Sequence, residues 1–88
     1  MKRVEVVWID SIGLNDGGWA EREEHEEWLD AEKVLIHSCG YLYAENEDLI
    51  MLAGSENEAI GIAADVMVIP RVAIRRLTEL AEPPTKKG

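Results

Sequence analysis

The chain has little cysteine, no phenylalanine and few basic residues. A single cysteine, Cys39, excludes an intrachain disulfide and a four-cysteine zinc site. We predict that Cys39 is a small buried hydrophobic residue rather than a nucleophile. Without phenylalanine, the core must be built from Ile, Leu, Val, Met and three Trp residues.

The sequence also lacks any apolar run near the roughly 20 residues of a membrane-spanning helix. Its first residues lack the apolar centre of a signal peptide. The chain has nine Lys and Arg residues and 18 Asp and Glu residues, so the formal net charge is −9. Because the electrostatic field of this negative charge repels phosphate, it disfavours non-specific binding to nucleic acid or anionic lipid. We therefore expect a soluble cytoplasmic protein with no membrane partner.

With 88 residues, the chain has the length of one small domain. We assign residues 1–82 to that domain and residues 83–88 to a disordered tail. A domain of this size buries a modest fraction of its surface, so its stability margin is thin. Association with copies of itself would add burial and stabilise it.

Segments rich in β-branched and aromatic residues predict five strands, joined by polar or Gly-rich connections. We expect Gly40 to mark a bend or bulge, residues 54–65 to form a polar loop, and residues 71–73 to form a tight turn after Pro70. A helix is the alternative for the last segment, because Ile74, Leu77 and Leu80 also fit helical spacing. The predicted strands are Val4–Ile9, Val34–Tyr43, Leu49–Ala53, Val66–Ile69 and Ile74–Leu80. We expect the second of them to be buried on both faces for part of its length.

An acidic insertion at residues 20–33 separates the first two strands and is predicted to be a short helix or a loop. We interpret it as a solvated face, with Trp28 and Leu29 as inward anchors. Glu21 and His25 lie one helical turn apart, but two possible ligands do not define a metal site. A surface that mimics a nucleic-acid duplex and a protein-binding inhibitory surface are alternatives. For Trp19, which precedes the insertion, we favour local packing over a lid, a ligand contact or a subunit contact.

Signals for catalysis are weak. His37 and Ser38 are adjacent in a strand, so their side chains point to opposite faces and cannot form a local catalytic pair. There is no phosphate-binding loop and no dinucleotide-binding glycine pattern. We therefore predict a non-enzymatic protein without a cofactor or a metal.

The order of these signals resembles an Sm-like small barrel, the SH3-like fold shared by Sm and Lsm proteins and the bacterial RNA chaperone Hfq. Gly40-Tyr41-Leu42 and residues 48–52 are similar to the first Sm signature. Residues 68–74 are similar to the second. The resemblance implies a mainly β, five-stranded barrel that forms homo-oligomers.

The chain departs from the Sm pattern at the residues that bind RNA. Leu52 stands where Sm proteins have an RNA-contacting Asn, and Ile69-Pro70-Arg71 stands where Hfq has Tyr-Lys-His. These differences disfavour RNA as the ligand, although an Sm-like RNA-binding protein remains the alternative.

The chain also resembles small proteins encoded in bacteriophage genomes. The matching positions are Val4, Val6, Trp8, Ser38, Gly40 to Leu42, Ile69 to Arg71 and Ile74. This resemblance implies a phage accessory protein in the host bacterial cytoplasm. Such proteins include oligomeric sponges that sequester nucleotide signals of host immunity.

Five of the nine basic residues follow position 70, and Arg71 and Arg75 flank the turn after Pro70. Guanidinium groups bind phosphate through paired hydrogen bonds, and aromatic rings stack on bases. We therefore predict a site for a small anionic nucleotide. The alternative is that the arginines only balance nearby carboxylates and the tyrosines belong to the core. The candidate ligand-binding residues are Arg71, Arg75, Tyr41, Tyr43, Trp19 and Ser38.

Overall fold

Five strands and very little helix make up the structure, a computed structural model that describes residues 1–81. The strands are β1 (Arg3–Ile9), β2 (Leu35–Glu45), β3 (Leu49–Asn57), β4 (Ile62–Pro70) and β5 (Ile74–Glu79). The single α-helix is α1 (Arg22–Glu26), and 3₁₀ turns occupy Asn15–Gly17, Ala31–Val34 and Arg71–Ala73. The prediction of a mainly β fold with five strands is confirmed, and the last segment is a strand rather than a helix. The predicted tail lies outside the described residues.

All five strands belong to one antiparallel sheet with the order β4-β3-β2-β1-β5. Within residues 1–81, β4 and β5 are the two edge strands and do not pair with each other. The prediction of a closed barrel is therefore wrong for the single chain. Only Ile74 of the six residues in β5 is partly covered, so β5 offers little apolar surface to hold the two edges together.

The sheet is nevertheless strongly curled. Val6 of β1 and Ile69 of β4 belong to the same buried cluster, although two strands separate β1 from β4 in the sheet. The cluster consists of Val4, Val6, Ile50, Leu52 and Ile69, with Trp8, Leu42 and Ile74 packed against it. Burying each large aliphatic side chain stabilises the fold by about 1.5–3 kcal/mol. Most of the core of this small domain therefore forms because the curled sheet brings side chains of β1, β3 and β4 together.

Two β-bulges adjust the sheet, and neither is at Gly40. One residue of β2, Tyr43, has no partner between the pairs Leu42–Leu52 and Ala44–Met51. In β5, Arg75 is likewise skipped between Arg76 and Ile74. Pairing with β1 runs without interruption across Gly40, so no bulge lies there, and the bend that was the other predicted possibility stays a prediction.

The hairpin of β3 and β4 is longer than predicted. Residues 54–65 are mostly paired strand, and the connection is only residues 58–61, where Gly61 has a φ of +69°. The predicted polar loop is therefore wrong. Local composition pointed to a loop because Gly, Ser and Glu are poor strand formers, whereas cross-strand pairs such as Ser55–Ala64 extend the ladder.

Three further predictions of burial are wrong, because within residues 1–81 no second sheet and no packed helix cover the side chains concerned. Cys39 lies opposite Glu5 on the outer face of the sheet and is exposed. No residue of β2 is fully buried. Trp28 and Leu29 are also exposed, since α1 ends at Glu26 and presents no apolar face to the sheet. Among the described residues, no helix has the length and hydropathy to cross a bilayer.

Candidate functional site

Arg71, at the end of β4, forms hydrogen bonds and a salt bridge with the turn between β2 and β3. Its backbone N–H donates to the carbonyl of Asp48 (2.8 Å), and its Nε donates to the carbonyl of Asn46 (2.8 Å). Its Nη2 donates to Oε1 of Glu45 at 2.7 Å. An anion would have to displace Glu45, so in the single chain Arg71 contributes to the turn rather than to an open site.

The turn that Arg71 contacts is itself ordered by a side chain. Oδ1 of Asn46 accepts from the backbone N–H groups of Asp48 (2.9 Å) and Leu49 (2.8 Å). Asn favours such turns because its side chain bonds to the backbone two residues further on. This local order fixes the carbonyl and the carboxylate that receive the guanidinium.

Arg75 differs from its neighbours because it is exposed and forms no salt bridge with any residue of the described range 1–81. It is the extra residue of the β5 bulge, opposite the step from Val7 to Trp8. Arg76, by contrast, lies 3.5 Å from Oε1 of Glu5. Of the two arginines predicted to bind a ligand, Arg75 is the one with an uncommitted guanidinium.

Ser38 supports the core. Its Oγ accepts a hydrogen bond from Nε1 of Trp8 at 3.0 Å, and this pair is partly buried. Trp8 packs against the core cluster, and its indole N–H needs a partner when it leaves water. The hydroxyl of Ser38 meets that need, which explains a polar residue on the inner face of β2.

Tyr41 lies on the face of β2 opposite Ser38. It pairs with Arg3 of β1 on one side and with Ala53 of β3 on the other. Tyr43, the bulge residue, lies two residues further along β2, in the direction away from Arg75. Because Arg75 is level with the other end of β1, neither tyrosine shares a site with Arg75 within one chain.

Trp19 lies in the connection between β1 and β2 and is fully exposed. The favoured interpretation, local packing, is therefore wrong. Its surroundings are acidic, because a shallow cleft beside it is lined by Glu21 and Glu24. An acidic cleft is a poor place for a nucleotide phosphate, so the position of Trp19 gives no support to a ligand role within one chain.

The described residues show no cluster with metal-binding geometry, and they do not bring His37 and Ser38 together. No group of three or more His, Cys, Asp or Glu side chains gathers in metal-binding geometry within residues 1–81. His37 pairs with Val7 and Ser38 with Val6, so their side chains project from opposite faces.

The feature that sequence reasoning missed is the free edge of β4. Val66, Met67 and Val68 are each more than two-fifths exposed on an edge strand. Pro70 carried a signal, because proline in a sheet is confined to edge strands, first positions and bulges. Pro70 therefore marks β4 as an edge strand as well as marking the end of the strand.

In comparisons with known proteins, no family model, no curated protein and no solved structure matches this chain. The chain is therefore classified by its fold alone, which within residues 1–81 is a single curled antiparallel sheet with two edge strands.

Proposed function

We propose that this protein is a non-enzymatic binding protein that works as a homo-oligomer, in which β4 of one copy pairs with β5 of the next. We further propose that the junction binds a compact nucleotide-type anion through Arg75. The observation that carries the proposal is the apolar, unpaired edge of β4 from Val66 to Ile69.

An edge strand offers unpaired backbone N–H and C=O groups to any chain that can add a strand. Natural edges usually carry charges that discourage this pairing, yet the half of β4 after Asp65 carries none. Asp65 has a positive φ of 55°, which is uncommon for a residue with a side chain. It interrupts regular strand geometry, so we expect pairing to be confined to residues 66–70.

The second edge complements the first. Strand β5 contributes the basic Arg75 and the partly exposed Leu77, and its Arg76 is already in contact with Glu5, whereas Asp65 is the only charged residue of β4. Joining two different edges is a heterologous contact, which makes a ring if the rotation closes and a filament if it does not. Each added copy would cover apolar surface on β4 that is exposed in the single chain.

Pairing between copies would also bring together two residues of the predicted site, Arg75 and Tyr41. On the outer face, Tyr41 pairs with Ala53, and Ala53 pairs with Val66 at the β4 edge. A β5 strand added to this edge would bring the Arg75 of one copy toward the row that contains the Tyr41 of another. Guanidinium and aromatic groups together suit a phosphate and a base. The negative body favours a compact anion over a polymer, because a long nucleic acid would have to cross acidic surface.

The resemblance to small phage-encoded proteins supports a further part of the proposal. The ligand would be a nucleotide signal of host immunity, and the protein would sequester it in the host cytoplasm without turning it over. An Sm-like RNA-binding role would need an extended basic surface. The exposed Arg75 alone does not provide one.

Val68→Lys is expected to disrupt the oligomer, because Val68 is half exposed on the free edge and a lysine there opposes strand addition. The matched control is Val72→Lys, since Val72 is 98% exposed in the 3₁₀ turn and lies off the edge. Mass measurement by light scattering across a dilution series should show a multiple of 9.9 kDa for the wild type and the control. It should show the single-chain mass for Val68→Lys. A wild type that stays at 9.9 kDa at every concentration would contradict the proposal.

Arg75→Ala is expected to weaken nucleotide binding by about tenfold or more, because it removes charge-assisted hydrogen bonds to phosphate. Calorimetry against cyclic mononucleotides, cyclic dinucleotides and cyclic ADP-ribose isomers would measure the affinity. Arg76→Ala changes the net charge equally and removes only the 3.5 Å contact with Glu5, so it should bind as the wild type does. No binding across the panel, or equal losses in both variants, would count against a site at Arg75.

A further inference from the structure

We propose that the connection between β1 and β2 carries a docking groove for a basic, amphipathic segment of another protein. This groove, called the insertion groove below, lies between the residues that follow β1 and those that follow α1. Its apolar wall is formed by Ile12, Leu14, Trp28, Leu29 and Val34. The inference does not depend on the sheet edges or on Arg75.

The apolar wall is unusually exposed. Leu29 is 88% exposed, and Ile12 and Trp28 are each about two-fifths exposed. Scattered exposed apolar residues are ordinary, but these three line one groove. The groove holds about 280 Å³, slightly below the roughly 300–1,000 Å³ typical of small-molecule sites. That volume suits one or two side chains of a peptide better than a cofactor.

Hydrogen bonds hold the two sides of the groove in place. The backbone N–H of Asp10 donates to the carbonyl of Val34 at 3.2 Å, which ties the start of the connection to its end. On the α1 side, Nζ of Lys33 donates to the carbonyl of Glu27 at 2.9 Å and lies 5.3 Å from the centre of the Trp28 ring. The exposed indole is therefore positioned by a contact within the connection, and its free part faces the groove.

The charge of the connection that forms the groove indicates the partner, and Asp10 of this connection lines the groove itself. Residues 10–34 contain nine acidic side chains and only two basic ones, Arg22 and Lys33. One of the two, Lys33, is already engaged at Glu27 and Trp28. Such a surface repels phosphate-bearing polymers and anionic lipid, and it attracts Lys and Arg side chains. It also disfavours, as the occupant of this groove, the equally acidic connection of a second copy, and this does not bear on the proposed pairing of β4 with β5. The occupant that fits is a protein segment with apolar residues on one face and basic residues on the other.

Leu29→Ser tests the proposal with a defined probe, a synthetic amphipathic peptide of Leu and Lys carrying a fluorescent label. Anisotropy titration should show binding by the wild type and a loss of at least about tenfold in Leu29→Ser, because one apolar contact is removed. Val72→Ser removes an even more exposed aliphatic side chain outside the groove and should bind as the wild type does. Circular dichroism would establish that both variants are folded.

A second peptide, made of Gly and Lys with the same charge, separates docking from charge attraction. Equal binding of the two peptides, or unchanged binding in Leu29→Ser, would overturn the proposal. A fall in oligomer mass in Leu29→Ser but not in Val72→Ser would overturn it differently, because a second copy would then be the occupant. Failure of nucleotide binding in Arg75→Ala leaves all of these outcomes unchanged, so the two proposals fail separately.

Discussion

Replacing Ile50 with Ala is expected to lower the free energy of unfolding by about 2–5 kcal/mol. Ile50 is 1% exposed and lies in the cluster that joins β1, β3 and β4. Removing its side chain leaves a cavity at the place where the curled sheet brings β1, β3 and β4 together. Small domains have a total stability of about 5–15 kcal/mol, so the loss is a large share of it. We expect Ile50→Ala to unfold at a clearly lower urea concentration than the wild type.

Ile60→Ala is the matched control, because Ile60 lies in the β3–β4 connection and is 66% exposed. It should change the free energy of unfolding by less than about 0.5 kcal/mol. Ile50→Val should fall between the two, at about 0.5–1.5 kcal/mol. Urea denaturation followed by circular dichroism measures all three, at one protein concentration because association would add stability. Similar midpoints for Ile50→Ala and Ile60→Ala would show that the core does not depend on this cluster.

The existence of the strands could be predicted from the sequence because their composition is local. The β-branched run from Val4 to Ile9 and the apolar run from Val66 to Ile69 need no long-range information to favour extended backbone. Strand length could not be predicted in the same way. Ser55 and Ala64 do not favour a strand by composition. They pair with each other because they continue the β3–β4 ladder that the apolar residues Leu49–Ala53 and Val66–Ile69 form.

Burial was predicted less well than strand position. Cys39 and Leu29 have apolar side chains, and composition alone favours their burial. Whether a face is covered depends on a second layer, and residues 1–81 contain no element outside the sheet that is long enough to cover its outer face. The five-residue α1 is the only helix in the described range, and it has no buried residue.

The candidate site shows the same limit. The basic cluster after Pro70 was visible in the sequence, but the partners of its members were not. Arg71 contacts Glu45 and Asn46, and Ser38 contacts Trp8, across long stretches of chain. Those contacts leave Arg75 as the uncommitted arginine of the predicted pair. The open edge of β4 required the strand order, which pairing alone defines.

Gly40→Ala is expected to destabilise the fold by about 1–3 kcal/mol, the usual cost of added volume in a packed site. A Cβ at this position would lie 2.8 Å from the carbonyl oxygen of Ala53 and 3.5 Å from Cβ of Leu52. The nearest atom belongs to the backbone of β3, so a side-chain rotation cannot relieve the contact. The close approach is the reason for a glycine here, and it lies beside the Tyr41–Ala53 pair of β2 and β3.

Gly13→Ala is the control, because a Cβ at Gly13 would meet nothing within 4 Å. At positions with compatible backbone, this change stabilises by about 0.4–1 kcal/mol, since it reduces the entropy of the unfolded chain. Urea denaturation should therefore move the two midpoints in opposite directions. If Gly40→Ala left the midpoint unchanged or raised it, β3 would have to be free to move away from β2, and the curl of the sheet would not depend on this contact.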